Sequence, residues 1–258
     1  VIAFLLFLKS ENIADKILWR MESDRSFSIV DAINHSISDF YNQIHGEIAE
    51  KLLDSFSREL SGMDKFVVIE IFDLLSLIDN ELYQDSSAEI IDDVFIEIAK
   101  RTGKRGGNYI QPKEITQIID SLIDLPSAAL IYNPFAGLAS FGVGFKTHVH
   151  YVGQEINQQI WALGVIRLLA HKVNIDDYYC EDSIHNWKGD FQITSVFHKN
   201  GQQNSKFDLV VSTPPFGMRV EQFSNYRGSR NNCTAEEFIL SNGIESLKHD
   251  GKLVLVSS

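Results

Sequence analysis

From about residue 104 onward, short apolar runs with strand character alternate with longer segments in which apolar residues recur every three or four positions. No other property of the chain narrows its fold as much, because strands separated by helices pair in parallel and form a doubly wound α/β sheet. In such sheets, ligands bind outside the carboxyl ends of the strands. The predicted strands are Ala129–Tyr132, His150–Gln154, Asp177–Cys180, Phe207–Val211 and Lys252–Ser257, and the predicted helices among them are Lys113–Ile123, Asn157–Lys172 and Ala235–Leu247.

The first hundred residues follow a helical pattern throughout. Asp64 can cap a helix over the apolar run Phe66–Ile78, and Asp85-Ser86-Ser87 followed by Glu89 predicts the start of the next helix. Residues 101–108 are rich in glycine and basic residues and contain no apolar side chain, which indicates a boundary. We therefore expect a helical N-terminal domain over residues 1–103 and an α/β domain over residues 104–258.

Charge divides the chain at the same place. Residues 1–103 hold 20 acidic against 9 basic side chains, whereas residues 104–258 hold 15 against 14. A uniformly acidic surface would repel nucleic acid, but the nearly neutral second part does not exclude it.

Cellular location is predicted from the cysteines and the apolar runs. The only two cysteines, Cys180 and Cys233, are 53 positions apart, which favours a reducing compartment, and we expect the cytoplasm. The longest apolar run, Val1–Leu8, is much shorter than the roughly 20 residues that cross a bilayer. Because the chain opens on Val1 and stops inside an apolar run, we expect it to be truncated, with the last strands of the sheet missing.

Polar or small residues follow four of the predicted strands. Residues 133–142 form a turn of small residues that leads into a helix, which is either an ordinary turn or a place where a ligand approaches the backbone. Glu155 follows the second strand and is either a solvated carboxylate or an acceptor for the two hydroxyls of a ribose. The acids of residues 180–183 follow the third strand, where they either accept from an adenine amino group or, as such side chains usually do, cap a helix or face water. Residues 213–217 place a rigid Pro-Pro turn and an aromatic ring after a buried strand, which favours a functional interpretation.

The order of these segments resembles the N6-adenine DNA methyltransferases, and most closely the modification subunit of type I restriction systems. Gly107–Ile115 is similar to the motif that precedes the family's first strand, and Asn133–Gly137 to its Asp/Asn-Pro-x-x-Gly cofactor loop. Gly153–Asn157 resembles its Gly-x-Glu strand end, and Thr213–Phe216 its Asn/Asp/Ser-Pro-Pro-Tyr/Phe motif. Leu247–Lys252 resembles its turn before the fifth strand, and Leu6–Lys9 the opening of the subunit's helical domain.

The resemblance implies a Rossmann-like methyltransferase sheet preceded by an α-helical domain, S-adenosylmethionine as cofactor and no metal. It implies DNA as a partner, together with the specificity subunit and a restriction subunit of the same system. The catalytic residues that it implies are Thr213, Pro214, Pro215 and Phe216, with Phe216 and Arg219 also binding the substrate base. The cofactor-binding residues that it implies are Tyr109, Ile110, Gln111, Pro112, Asn133, Pro134, Phe135, Ala136, Gly137, Glu155, Ile156, Asp182 and Ser183.

The implied reaction explains the residue types after the fourth strand. An adenine amine is a weak nucleophile because its lone pair is delocalised into the ring, and hydrogen-bond acceptors at Thr213 and at the Pro214 carbonyl would free that lone pair for the methyl group. The base must first leave the duplex, and stacking on Phe216 would recover about 1 to 3 kcal/mol of that cost.

The chain departs from the family at several side chains. Gln111 replaces a threonine, Thr213 replaces Asn, Asp or Ser, and Leu138 is expected to add bulk beside the cofactor. Ala136 and Ala139 also replace the residues common in the cofactor loop. The alternatives to a working methyltransferase are therefore a catalytically silent relative, an NAD-dependent oxidoreductase and a pure interaction module.

Residues 219–232 mix arginine, aromatic and amide side chains without periodicity. We interpret them as an irregular segment, either a solvated loop or a loop that faces DNA. His148 and His150 are separated by one residue near a strand start with no third ligand nearby, and are interpreted as surface histidines.

Overall fold

The chain is described here by a computed structural model that covers residues 1–23, 28–36, 46–102, 110–145, 149–189, 206–215, 217–223 and 230–257. It divides into two units, the first comprising Val1–Thr102 with Ala162–Lys172 and the second Gly103–Trp161 with Val173–Ser258. Within the described ranges, no helix combines the length and the apolar composition needed to cross a membrane.

The first unit is helical. Its first helix, α1 (Ile2–Ser10), is buried on nearly all sides, and the Phe4 ring stacks on Phe56 at 4.6 Å between ring centroids. The Tyr83 hydroxyl donates to the Leu6 carbonyl and fastens α1 to the last of these helices. The helices in the first hundred residues are α1 (Ile2–Ser10), α2 (Ala14–Ser23), α3 (Ile29–Ser36), α4 (Gly46–Ser61), α5 (Lys65–Ser76) and α6 (Asn80–Thr102).

Of the two predicted helix starts, one is confirmed and the other is wrong. Asp64 is the N-cap of α5, and its carboxylate accepts from the Phe66 N–H, which confirms that prediction. The start predicted at residues 85–89 is wrong, because α6 begins at Asn80 and runs through them. Asp79 caps this helix by accepting from the Leu82 N–H, and the Ser87 hydroxyl is satisfied by the Gln84 carbonyl one turn back. A serine bonded in this way is compatible with a helix interior.

The second unit is built on a parallel sheet of the strands β1 (Ala129–Asn133), β2 (Val149–Gln154), β3 (Tyr178–Tyr179), β4 (Phe207–Ser212) and β7 (Leu247–Leu255). Their order in the sheet is β3-β2-β1-β4-β7. Strand β1 is central and buried along its whole length, with β2 on one side and β4 on the other. The remaining helices of the described chain are α7 (Lys113–Leu122), α8 (Ser140–Gly144), α9 (Gln158–Ala170) and α10 (Ala235–Ser246). The α/β prediction is confirmed.

One face of this sheet carries an aromatic core. Tyr132 and Phe207 stack at 5.0 Å between ring centroids, and Trp187 meets Tyr132 edge-on at 4.9 Å. The Trp187 indole N–H donates to Ser246 Oγ, which ties the segment after β3 to the end of α10. This packing fixes the strand ends from which the candidate site is built.

The irregular segment predicted over residues 219–232 is wrong where the structure describes it. Strands β5 (Arg219–Phe223) and β6 (Arg230–Thr234) pair antiparallel as a hairpin. Val220 is the buried apolar anchor of this hairpin, and it packs with Phe238 of α10. Backbone pairing and a few apolar contacts therefore hold together a segment whose side chains are mostly polar.

Candidate functional site

A cavity of about 320 Å³ lies at the carboxyl ends of β1 and β4. Because β1 pairs with β2 on one side and β4 on the other, the strand order reverses here, as at the usual ligand site of open α/β sheets. Three segments meet around it, namely the start of α7, the loop after β1 and the turn after β4. The lining residues are Ile110, Gln111, Pro112, Ile115, Asn133, Phe135, Ala136, Gly137, Ser140, Phe141, Thr213, Pro214, Pro215 and Val256.

Asn133 joins two of these segments. It is 1% exposed, and in the orientation that satisfies both ends of its amide, Nδ2 donates to the carbonyls of Val211 and Phe135, each at 3.2 Å. In this orientation Asn133 Oδ1 lies 3.3 Å from the Tyr151 hydroxyl. The side chain therefore links the end of β1 to the end of β4 and to the loop that begins beside it.

The loop after β1 is held by groups of the protein itself. The Ala136 N–H donates to the Gln154 carbonyl at 2.8 Å, and the Tyr178 hydroxyl donates to the Gly137 carbonyl at 2.7 Å. Gly137 has a φ of +54°, a left-handed conformation that glycine adopts without strain. The turn of small residues thus has a fixed shape, and Phe135, Ala136 and Gly137 face the cavity.

Leu138 and Ala139, which also differ from the family's cofactor loop, lie away from the cavity. Leu138 and Ala139 are 3% and 0% exposed and do not line it, so the bulk expected of Leu138 beside a cofactor is directed into the protein core. Pro134 is also buried outside the lining. Ala139 has a φ of +54°, which costs a residue with a Cβ about 1 to 2 kcal/mol.

Glu155 adjoins the loop from the end of β2. It is 9% exposed, and its carboxylate accepts from the N–H of Gly137 at 3.0 Å and of Asn157 at 2.8 Å. Burial raises the pKa of Glu155, and the N–H donors of Asn157, Gly137 and Ile156 offset part of that rise. An ionised carboxylate has about four acceptor positions, so these three donors leave about one for another group.

The acids after β3 lie outside the cavity lining. Asp182 accepts from the Ile184 N–H at 2.9 Å and faces His185 Nδ1 at 2.6 Å, so its carboxylate closes a local turn. Ser183 is buried and Ile156 is 67% exposed, and neither of them lines the cavity. The four strand-end residues Asn133, Glu155, Asp182 and Thr213 therefore do not all meet at one cavity. Asn133 and Thr213 line it, Glu155 touches it through Gly137, and Asp182 lies outside it.

The turn after β4 forms the opposite wall. Thr213 is half-buried, Pro214 is buried and Pro215 is exposed, and all three line the cavity. The Met218 N–H donates to the Pro215 carbonyl and closes the turn, while Val256 donates to the Ser212 carbonyl just before it. Phe216 lies outside the described residues.

The segment before α7 supplies the third wall. Ile110, Gln111 and Pro112 line the cavity, whereas Tyr109 lies outside the described residues. Gln111 Nε2 donates to Thr116 Oγ1 at 2.8 Å, and Gln111 Oε1 is buried without a hydrogen-bond partner among the described residues.

Arg219 stands apart from these walls. It is exposed at the start of β5, opposite Thr234 in the hairpin, and does not line the cavity. His150, predicted on the surface, is partly buried instead and pairs with the buried Asp177 at 2.7 Å. His148 lies outside the described residues.

Four lining residues were not predicted, namely Ile115, Ser140, Phe141 and Val256. Ile115 lies one helical turn after Gln111, and Phe141 follows the loop in α8, so their positions in the chain carried a usable signal. Val256 reaches the site only because β7 pairs with β4.

The cavity is uncharged in its described lining, and no group of three or more His, Cys, Asp or Glu suited to a metal ion occurs among the described residues. Its lining combines apolar side chains such as Ile115, Phe135 and Phe141 with the polar side chains of Gln111 and Thr213. Such a lining suits a ligand that has apolar surface and a few polar groups.

Comparisons with known proteins agree with this architecture. The chain is 21% identical over 212 residues to the type I restriction enzyme MjaIX methylase subunit of Methanocaldococcus jannaschii, covering 82% of this chain and 37% of that relative. It is 26% identical over 129 residues to the HindI methylase subunit of Haemophilus influenzae, covering 46% of this chain and 26% of the relative. The chain therefore spans well under half of either relative.

Solved structures show the same fold. The type I restriction-modification methyltransferase subunit of Streptococcus thermophilus matches with a TM-score of 0.63 at 18% identity, over 96% of this chain and 55% of that one. A Listeria monocytogenes protein assigned as a class I S-adenosylmethionine-dependent methyltransferase matches with a TM-score of 0.54 at 13% identity, over 97% of this chain and 72% of that one. The predicted methyltransferase fold and the resemblance to type I modification subunits are confirmed. A model of the family described as N-6 DNA Methylase matches residues 84–258, which is more than half of the sequence, and the chain belongs to that family.

Proposed function

We propose that this chain is the S-adenosylmethionine-dependent part of an adenine-N6 DNA methyltransferase, the modification subunit of a type I restriction system. One observation carries the proposal, namely that the loop after β1 and the Thr-Pro-Pro turn after β4 line a single cavity. Family membership supports the same reaction. Within the proposal, residues 1–103 form the helical domain and residues 104–258 the catalytic domain.

The cavity fits the proposed cofactor. S-adenosylmethionine, when bound, supplies an electrophilic methyl group on a positively charged sulfur. The described lining offers no cation to oppose that charge, and the faces of Phe135 and Phe141 attract cations. The loop of residues 133–137 would hold the cofactor, and residues 109–112 would lie near its methionine end. Glu155 would bind the ribose, and the segment of Asp182 and Ser183 the adenine.

Thr213 and Pro214 would prepare the target amine. The Thr213 hydroxyl and the Pro214 carbonyl can each accept one amino hydrogen, which draws the nitrogen towards tetrahedral geometry and frees its lone pair. Holding the amine in line with the methyl group replaces a bimolecular encounter by an oriented one. Phe216 would stack on the extruded base, and exposed Arg219 would contact the DNA outside the cavity.

The partners follow from the proposed role. The nearly neutral charge of residues 104–258 allows approach to DNA, whereas the acidic first part would meet protein subunits, namely the specificity subunit and a restriction subunit. We propose a cytoplasmic location, supported by Cys180 and Cys233, which form no disulfide in the structure.

A calorimetric titration with S-adenosylmethionine and, separately, with NAD tests the proposal. We expect S-adenosylmethionine to bind and NAD not to bind. Glu155→Ala should weaken binding by about 1.5 to 3 kcal/mol, the range of hydrogen bonds to a charged group. Binding of NAD alone would contradict the proposal.

Methyl transfer is tested in the assembled complex. Labelled S-adenosylmethionine should place its methyl group on adenine, and Thr213→Asn should preserve or raise the rate because an amide oxygen is a good acceptor. A complex that binds the cofactor yet labels no adenine with either residue at position 213 would identify a catalytically silent relative.

A further inference from the structure

Gly137 is bonded at both ends of its backbone. Its N–H donates to the Glu155 carboxylate at 3.0 Å, and its carbonyl accepts from the Tyr178 hydroxyl at 2.7 Å. Glycine adopts many backbone conformations at similar cost, so the φ of +54° at Gly137 is not fixed by the residue alone. The two bonds therefore hold the direction in which the loop after β1 presents its N–H to the carboxylate.

Tyr178 is itself held in place by the sheet and by α9. It pairs with Gly153 of β2 and is 2% exposed. Its ring stacks on Trp161 at 6.2 Å between ring centroids, and the Trp161 indole N–H donates to the Tyr178 carbonyl at 3.0 Å. A ring packed in this way keeps one orientation, so its hydroxyl is directed at a single acceptor.

Gly153 provides the space that the tyrosine rings occupy. A Cβ placed on Gly153 would lie 2.8 Å from a ring carbon of Tyr178, 2.8 Å from one of Tyr151 and 2.9 Å from the Tyr151 hydroxyl. Carbon atoms in ordinary contact are about 3.5 to 4.0 Å apart, so a side chain at this position would displace both rings. The Tyr151 hydroxyl lies 3.3 Å from the amide of Asn133. The glycine thus allows one tyrosine to reach each end of the loop that begins at Asn133 and ends at Gly137.

We propose that Tyr178 is a positioning residue for cofactor binding. Its hydroxyl holds Gly137 so that the Glu155 carboxylate keeps the orientation in which it accepts from a ribose. This inference rests on the proposed function, in which Glu155 binds the ribose of S-adenosylmethionine. Tyr178 does not line the cavity, so its effect passes through Gly137 and Glu155.

The neighbouring residue on β3 provides a matched control. The Tyr179 hydroxyl also donates at 2.7 Å, but to Asp177, which pairs with His150 near the start of β2. Calorimetry without DNA measures the affinity of each variant for S-adenosylmethionine. Tyr178→Phe should weaken binding about 2- to 10-fold, the loss of one hydrogen bond, whereas Tyr179→Phe should bind within about 2-fold of the parent chain. Equal weakening by both variants would mean a general loss of packing and would overturn the inference.

A double variant tests whether the effect passes through Glu155. In a Glu155→Ala background, Tyr178→Phe should have no further effect, because the carboxylate that it orients is absent. An equal loss in both backgrounds overturns the inference. Where Tyr178→Phe fails to fold, Gly153→Ala takes its place, because it keeps the hydroxyl but displaces the ring and should weaken binding at least as much. A folded Gly153→Ala variant that binds like the parent chain also overturns the inference.

Hydrogen exchange separates this inference from the proposed function, since it needs no ligand. The exchange of the Gly137 amide, followed by NMR, should be about 2- to 10-fold faster in Tyr178→Phe and unchanged in Tyr179→Phe. Unchanged exchange in Tyr178→Phe overturns the inference. A parent chain that binds no S-adenosylmethionine overturns the proposed function and this inference with it. A parent chain that binds, with a Tyr178→Phe variant that binds equally well, overturns this inference alone.

Discussion

Two partly buried carboxylates, one in each unit, are stabilised in opposite ways. Asp92 in the helical unit accepts from Arg167 Nε at 2.7 Å and faces His171 Nε2 at 3.2 Å. Burial alone would raise the pKa of Asp92, but hydrogen bonds from His171 and Arg167 and the charges of both hold it below its ordinary value of 3.8. Glu155 at the strand ends is bonded to backbone N–H groups, and burial raises its pKa.

The difference indicates a structural role for Asp92 and agrees with the ligand-binding role proposed for Glu155. Asp92 is neutralised within the fold, so nothing further is needed to keep it ionised. Glu155 lacks a resolved cationic influence on its pKa and depends on amide dipoles alone. A carboxylate whose pKa is raised by burial beside a ligand cavity is a typical feature of a binding or catalytic site. The two residues therefore offer a direct comparison between stability and function.

Replacing the structural charge should have the largest effect on stability. Asp92→Asn leaves Arg167, which is 9% exposed at its side chain, without its carboxylate partner. Removing one member of a buried pair costs about 3 to 5 kcal/mol, and because the Asp92 side chain is 26% exposed we expect roughly 2 to 3 kcal/mol. Hydrogen exchange of the amides in α6 measures this loss in the unit concerned.

Asp93→Asn is the matched control, since Asp93 is the exposed neighbour on the same helix. It should change the exchange of α6 by less than about 0.5 kcal/mol, as surface substitutions do. Equal effects at positions 92 and 93 would mean that helix charge, and not the pair with Arg167, accounts for the stability.

The pH dependence of stability should have opposite signs at the two carboxylates. The pKa of Glu155 is raised, so between 4.5 and its folded value the folded state binds more protons, and stability falls as pH rises through that window. The pKa of Asp92 is lowered, so its contribution is complete above 3.8 and is lost as pH falls through its folded value.

Urea unfolding from about pH 3 to about pH 7 checks these signs by difference. Subtracting the curve of Glu155→Gln from that of the parent chain should leave a difference that declines with rising pH. The same subtraction with Asp92→Asn should leave a difference that increases with pH. Two differences of the same sign would refute the contrast drawn between the residues.

The sequence predicted the sheet and its helices, because parallel strands in a buried sheet are apolar runs with clear periodic helices between them. It did not predict the hairpin of β5 and β6, where polar residues such as Glu221 and Asn232 face each other and backbone pairing takes the place of an apolar pattern. The start of α6 was misplaced because the sequence offers two capping segments. Asp79 and the segment at Asp85 are both good capping sequences, and tertiary contacts such as Tyr83 with Leu6 favour the earlier start.

At the candidate site, backbone-shaping residues were predictable and side-chain partners were not. Gly137 and the Pro-Pro turn have conformations that few other residues adopt, so the motif carries their geometry. The bonds from the Gly137 N–H to Glu155 and from the Tyr178 hydroxyl to the Gly137 carbonyl depend on which segments meet in space. Side chains that bond across segments leave no spacing rule in a single sequence.

The smallest expected effect concerns the loop that donates its N–H to Glu155. Ala139 and Ala128 both have a left-handed backbone, with φ of +54° and +60°, but Ala139 is buried in the loop whereas Ala128 is exposed before β1. Glycine relieves about 1 to 2 kcal/mol of strain at either position and loses about 0.5 to 1 kcal/mol through the unfolded chain. Ala128→Gly should therefore stabilise the second unit by about 0.5 kcal/mol, measured by urea unfolding.

Ala139→Gly also removes a buried methyl group worth about 0.8 kcal/mol, and should leave stability unchanged or slightly lower. A clear gain at position 139 would mean that the loop is strained beyond its backbone angle, and that Glu155 holds it against that strain.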